Sequence, residues 1–185
     1  MFDLTSFSHG QIKSKLWLCD KIKEFLPNDA NVWILGSWYN VLGCMLFIKH
    51  PEKINFVTGI DVDQDAIDTA EKITSYWYIE GKANNICTNA NEYTVPGGES
   101  NVIINCSPEH FESKLWFDNL PENTIVCIQS SNITDPKEPW IIKQPSASFD
   151  DFLNNYPLTH KLYTGIQKIE YSHFSYERYM MIGKK

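Results

Sequence analysis

The sequence predicts an α/β chain: a doubly wound sheet of seven strands, mostly parallel with a C-terminal antiparallel hairpin, and helices on both faces. Three observations predict it. From Asn31 to Gly43 an apolar run, Val32 to Leu35, breaks at the small residues Gly36 and Ser37 and resumes at helical spacing with Val41, Met45 and Ile48. The same strand, turn and helix pattern recurs where residues 54–60 end in Asp61, Val62 and Asp63 and a helical stretch begins at once. Finally, residues 161–169 and 174–182 read as two strands joined by a short turn. A chain of 185 residues fits one domain, 1–185, with a sizeable core.

Taken in order, Ser8 and Gln11 have the spacing of a capping box, and Ile12, Leu16, Cys19, Ile22 and Leu26 keep helical rhythm until Pro27. Residues 1–27 are therefore an N-terminal helical segment. After the two units above, Asp63 caps a helix whose apolar stripe is Ala66, Ile67, Ala70, Ile73 and Trp77, lasting to about Glu80. Residues 86–90 form a short third strand, Pro96-Gly97-Gly98 a loop, and residues 101–105 a fourth strand. Residues 111–119 form a short helix carrying Trp116 and Phe117, and residues 123–129 a fifth strand. The polar run Gln129 to Asn132 follows at a strand's carboxyl end, as a substrate contact or as a polar turn. Residues 133–147 hold Pro136, Pro139 and Pro145 around Trp140, which excludes a long helix and reads as a lid insertion, with a packed loop as the alternative. Ser148 caps a helix to about Asn155, with Asp150 and Asp151 in its first turn.

An open doubly wound sheet holds its ligand beyond the carboxyl ends of its strands, where helix N-termini present unpaired N–H groups. Gly36, Ser37 and Asp61 fall there, and an acid closing the second strand is the group that pairs with ribose hydroxyls. On the Gly36 turn and the run Gly59-Ile60-Asp61-Val62-Asp63, the chain resembles the class I S-adenosylmethionine-dependent methyltransferases, a Rossmann-like fold. More narrowly it resembles small methyltransferase-like proteins of bacteriophages, from about Ser8 to the C-terminus. The family's Gly-x-Gly-x-Gly turn is replaced by two glycines seven positions apart, Gly36 and Gly43, with Trp38 and Tyr39 where glycines are usual.

The resemblance implies S-adenosylmethionine as cofactor, with Gly36, Ser37 and Trp38 against it, Asp61 on its ribose, Val62 packed on its adenine, and Asn89 and Ala90 reading the adenine edge. Asn89 also reads as a plain turn asparagine. The helix ahead of the first strand often closes over the cofactor in this class, which places Gln11, Ser14 and Lys15 at the site; by their own pattern Gln11 caps and Lys15 is solvated. Asn105 would face the transferred methyl, although the amine-methylating signature is incomplete, with a single proline at 108 and Phe111 beyond it. Glu109 and His110 are the only adjacent acid and imidazole. His110 can take a proton from the nucleophile with Glu109 orienting it, or the pair merely begins a helix.

A net charge of −7 and a pI near 5.2 give no basic footprint and argue against duplex nucleic acid. The expected acceptor is a small molecule, a nucleotide or a protein side chain, with a flipped or single-stranded base on aromatic rings as an alternative. Five cysteines without a C-x-x-C pair point to reduced thiols and no metal site. No apolar run reaches membrane-spanning length, so a cytoplasmic protein is expected. Two readings of function stand: a methyltransferase acting on an oxygen or nitrogen nucleophile, and a non-catalytic module holding the cofactor or a nucleotide. A nicotinamide-dependent oxidoreductase needs a G-x-G-x-x-G turn that the chain lacks.

Overall fold

A computed structural model describes residues 3–133 and 142–185. The strands are β1 (Ala30–Leu35), β2 (Ile54–Asp61), β3 (Ala83–Cys87), β4 (Asn101–Asn105), β5 (Ile125–Ser131), β6 (His160–Glu170) and β7 (Ser175–Lys184). They form one sheet in the order β3-β2-β1-β4-β5-β7-β6, with β7 antiparallel to both of its neighbours and the other pairs parallel. Winding runs outward from β1 on one side and from β4 on the other. The switch point lies between them, which is where such sheets bind ligands.

Strand periodicity builds two cores. On one face Val32, Ile34, Val102, Ile104, Met180 and Ile182 meet Leu18 and Ile22 of helix α1 (His9–Ile22) and Leu46 of α2 (Val41–Lys49). On the other, Leu35, Ile103, Tyr179 and Met181 meet Trp116 and Phe117 of α5 (Leu115–Asp118) and Phe152 of α6 (Phe149–Asn155). Alternate residues of each strand thus serve opposite layers, which is why β4 reads as unbroken apolar sequence.

Several local expectations need correction. Ser8 stands at the N-cap of α1 without a side-chain cap bond, and the Gln11 amide oxygen instead accepts from the Lys15 ammonium. That helix ends at Ile22, ahead of Pro27, and residues 23–25 continue as a turn in which the Phe25 and Leu26 N–H groups bond the Ile22 carbonyl at 2.9 and 3.0 Å. The helix after β2 is two pieces, α3 (Gln64–Ile73) and α4 (Ser75–Ile79). They part at Thr74, whose hydroxyl donates to the Ala70 carbonyl and accepts from the Asn85 amide. Ile48 is exposed: Val41 and Met45 pack with Ala66 and Ile73 of α3, and Ile48 lies a turn beyond that contact. The third strand sits earlier than expected, at Ala83–Cys87, so that Thr88 to Asn91 form the loop at its carboxyl end. Residues 111–119 hold only the single turn α5, after a 3-10 turn at Pro108–His110.

Asp63 caps α3 through its side chain, and Ser148 caps α6, as their positions imply. All five cysteines are free thiols. Among the described residues no helix is long and apolar enough to cross a membrane. The lid read over residues 133–147 falls for most of its length, Trp140 included, outside the described residues.

Candidate active site

The turn after β1 concentrates left-handed backbone. Gly36, Trp38 and Asn40 all lie in the left-handed region, at φ of 66°, 50° and 51°. This alternation has the spacing of a Gly-x-Gly-x-Gly turn, kept here with only its first glycine. Gly36 cannot be replaced without a clash, because a Cβ there would meet Ser107 Oγ at 2.7 Å and the Phe111 ring at 3.0 Å. Asparagine tolerates the left-handed region, whereas at Trp38 it costs about 1–2 kcal/mol.

Neighbouring hydrogen bonds hold the strained turn. The Ser37 N–H donates to the Ile60 carbonyl, the Asn40 N–H to the Ser37 carbonyl, and the Trp38 N–H to Asp61 Oδ2, at 2.8–2.9 Å. Asn40 is fully buried and its amide donates to Asn85 Oδ1 at 2.9 Å. Its side chain occupies the space over Gly43 and Gly59 where Cβ atoms would stand. Gly43 therefore serves the packing of Asn40 and is not part of the turn.

Beside the turn opens a cavity of about 590 Å³ over the carboxyl ends of β1 to β4. Asp61, at the end of β2, lines it; Oδ2 accepts from Trp38 and Oδ1 from the Asp63 N–H at 3.1 Å. Burial raises the Asp61 carboxyl above its ordinary value, partly offset by the N–H groups of Asp63 and Trp38. Each oxygen keeps a second acceptor position. Exposed Val62 and the Thr88 to Asn91 loop complete this end of the cavity. The Asn89 side chain is engaged within its own loop, accepting from the Asn91 N–H and donating to Glu92, as a turn asparagine does; it and Ala90 nonetheless line the cavity.

At the end of β4 the structure separates residues that the sequence groups. Cys106, Ser107, His110 and Phe111 line the cavity. Asn105 does not: it is wholly buried, and its Oδ1 caps the Ser107 N–H at 2.9 Å. Glu109 points into the core, with Oε1 3.3 Å from Arg178 Nη1 and Oε2 accepting from Ser130 at 3.2 Å. The carboxylate is engaged by the buried guanidinium of β7 and by Ser130, while His110 lines the cavity. The Glu109 carbonyl also accepts from the N–H groups of Lys143 and Gln144. Arg178 further donates to the Cys106 carbonyl, tying the β4 loop to β7.

The polar run at the end of β5 is likewise turned inward, and the strand spans Ile125–Ser131 where the sequence predicts 123–129. Gln129 donates to the Ser14 carbonyl at 3.0 Å, Ser130 serves Glu109, and Asn132 accepts from the Glu177 N–H. Their task is to hold α1 and β7, and none lines the cavity. From α1, Gln11 and Lys15 do line it, whereas Ser14 is buried. Loss of hydration lowers the Lys15 amine to about 8, with Arg178 adding to the fall and Cys106 and Cys19 opposing it. The sequence carried no sign of Arg178 beyond a lone cation inside an apolar strand, nor of Asn40 beyond its place two residues after Trp38.

No protein-family model matches the chain, and no curated protein matches it. Solved structures do. The MccD protein superposes with a TM-score of 0.73 at 10% identity, covering 95% of this chain and 98% of that one. A SAM-dependent methyltransferase from Aquifex aeolicus gives 0.60 at 16%, covering 98% and 99%. The magnesium protoporphyrin IX methyltransferase from Synechocystis PCC 6803, solved with bound SAM, gives 0.64 at 11%, covering 94% and 80%. At these identities the likeness is one of fold: the chain has a Rossmann-like, seven-stranded fold like that of these structures, two of which are methyltransferases.

Proposed function

We propose that the chain is an S-adenosylmethionine-dependent methyltransferase acting on an oxygen or nitrogen nucleophile. The observation that carries this reading is Asp61, a desolvated carboxylate at the end of β2 bonded to a left-handed Gly36, Trp38, Asn40 turn inside the cavity. A carboxylate raised by burial gains most from further donors, and two ribose hydroxyls supply them at its remaining acceptor positions. Gly36 admits a close approach that any side chain would block. Val62 offers an exposed apolar face to the adenine, and the Asn89–Ala90 backbone borders its edge.

When bound, the cofactor supplies a sulfonium-activated methyl that leaves by in-line displacement. The protein's share is alignment, exclusion of water and, for a protonated nucleophile, a proton acceptor. His110 is the cavity-lining imidazole on the β4 side and takes that role. The acceptor is a small molecule, a nucleotide or a protein side chain. Five free thiols suit a reducing cytoplasm, the host's where a bacteriophage encodes the protein.

A second reading, a cofactor-holding module without turnover, draws on Glu109 and Asn105. Both are turned into structural bonds, Asn105 to the Ser107 N–H and Glu109 to Arg178, and neither lines the cavity. Calorimetric titration with S-adenosylmethionine, S-adenosylhomocysteine and NAD tests the cofactor. Micromolar binding of the first two and none of the third is expected, and absence of binding to both sulfur nucleosides would overturn it. Release of S-adenosylhomocysteine in an acceptor screen then separates enzyme from module.

A further inference from the structure

Helix α4 is built mainly of apolar side chains yet buries none of its residues. Tyr76, Tyr78 and Ile79 are 66, 59 and 81% exposed. A helix that is apolar all round normally lies inside a protein. The group is also held in place: Trp77 stacks on Phe47 of α2 at 5.1 Å, and the Tyr76 ring stands edge-on to Trp77 at 5.7 Å. Side chains fixed in this way lose little freedom when a partner arrives. Hydrogen bonds of i to i−4 spacing run on through the junction of α3 and α4, from the Thr74 N–H to the Ala70 carbonyl and from the Tyr78 N–H to the Thr74 carbonyl. Lys72, Tyr76, Ile79 and Glu80, all exposed, therefore share one outward stripe that is basic at its start, apolar in the middle and acidic at its end. The chain leaves α4 into the amino end of β3, an edge of the sheet, whereas the cavity opens at the carboxyl ends. The flanks of residues 134–141 are bonded at those carboxyl ends, Asn132 to Glu177 and Lys143 to the Glu109 carbonyl, at least three strands from β3. That places them about 20 Å from α4. Eight residues held at both ends reach out at most about 15 Å, so they do not cover the stripe.

We propose that this stripe is the surface on which a second copy of the chain docks, helix against helix and antiparallel about a two-fold axis at Tyr76. Residues four positions either side of the axis then meet, Lys72 with the partner's Glu80 and Glu80 with the partner's Lys72, around a centre of Tyr76 and Ile79 from both copies. The stripe is complementary to itself when reversed, which a symmetric pair requires and an unrelated partner does not. Tyr76, Tyr78 and Ile79 leave about 400 Å² uncovered on each copy. This is half of the roughly 800 Å² that each partner buries in a stable pair, and Lys72, Ser75 and Glu80 widen the same face. Docking at α4 leaves both cavities open, so the proposal stands apart from the reading of the cavity.

The test is sedimentation velocity on the full chain from about 1 to 100 µM. The wild type should pass from monomer toward dimer over that range. Ile79→Asp, a change at an exposed position, should remain monomeric while circular dichroism shows the fold intact. Lys72→Glu and Glu80→Lys should each raise the dimer dissociation constant at least about tenfold, because symmetry places two like-charge pairs in the interface for each change. The two reversals combined restore opposite charges and should return the constant to within about threefold of the wild type. A wild type that stays monomeric at every concentration would overturn the proposal, as would a dimer that survives Ile79→Asp. A double reversal as weak as the single ones would overturn the antiparallel pairing of Lys72 with Glu80.

Discussion

Replacing Lys15 by methionine should stabilise the ligand-free protein. The amine falls from 10.5 to about 8 on folding, chiefly through loss of hydration. At 1.36 kcal/mol for each tenfold change this amounts to about 3 kcal/mol against the folded state, and water reaching a half-buried amine reduces it to about 1–3 kcal/mol. The sign follows from proton binding. Below about pH 8 the amine is charged in both states and the folded chain bears the full penalty. Between about 8 and 10.5 the folded amine releases its proton first, and above 10.5 the penalty is gone. Lys15→Met should therefore melt roughly 2–10 °C higher than the wild type at pH 7, with the gap closing as pH rises toward 10. The Cys106 thiol is raised by burial and held back by Lys15, so the same comparison is made in a Cys106→Ala background. Thermal and urea unfolding across pH 6.5 to 10 make the measurement. A variant less stable than the wild type at pH 7, or a gap that does not depend on pH, would refute the claim that the amine is a desolvated cation.

Asp61→Ala should weaken S-adenosylhomocysteine by about 1–3 kcal/mol through lost charge-assisted bonds, read by calorimetry; unchanged affinity would remove Asp61 from the ribose role. Arg178→Met leaves Glu109 buried and unpaired and should cost about 3–5 kcal/mol in urea unfolding, most of it recovered by adding Glu109→Gln; equal losses in the single and double variants would show that the two do not act as a pair. Asn40→Ala should destabilise by about 1–3 kcal/mol, since it strands Asn85 and puts alanine in the left-handed region, and a neutral result would mean the turn relaxes without that side chain. His110→Ala should leave cofactor affinity intact and lower turnover once an acceptor is found; equal turnover would return His110 to a helix-start role.

The fold was legible because its strands leave no ambiguity of period. Val102, Ile103 and Ile104 are apolar on both faces, and β7 carries Tyr179 and Met181 to one core and Met180 and Ile182 to the other. Caps at Asp63 and Ser148 were legible for the same local reason, since the partners lie within three residues. The break at Thr74 was not, because it depends on Asn85, which meets Thr74 only once β3 is in place. Nor was the end of α1, where the regular helix gives way to a turn after Ile22, ahead of Pro27.

The site divides along the same line. Asp61 and Gly36 were legible because a strand's end fixes where their neighbours must be. Glu109 beside His110 was misleading: adjacency in sequence says nothing of direction, and a 3-10 turn sends one side chain to Arg178 in the core and the other to the cavity. The glycine pattern misled in a more instructive way. Spacing alone makes Gly36 and Gly43 look like a loosened turn, yet the left-handed conformations sit at Gly36, Trp38 and Asn40. Asn40 needs room for its amide, and Gly43 and Gly59 provide it. Two glycines that a turn of this kind uses for conformational freedom have been replaced by an asparagine that tolerates the conformation and a tryptophan that endures it. The Trp38 N–H contact with Asp61 then couples the shape of the turn to the carboxylate, so a change at either residue should be felt at both.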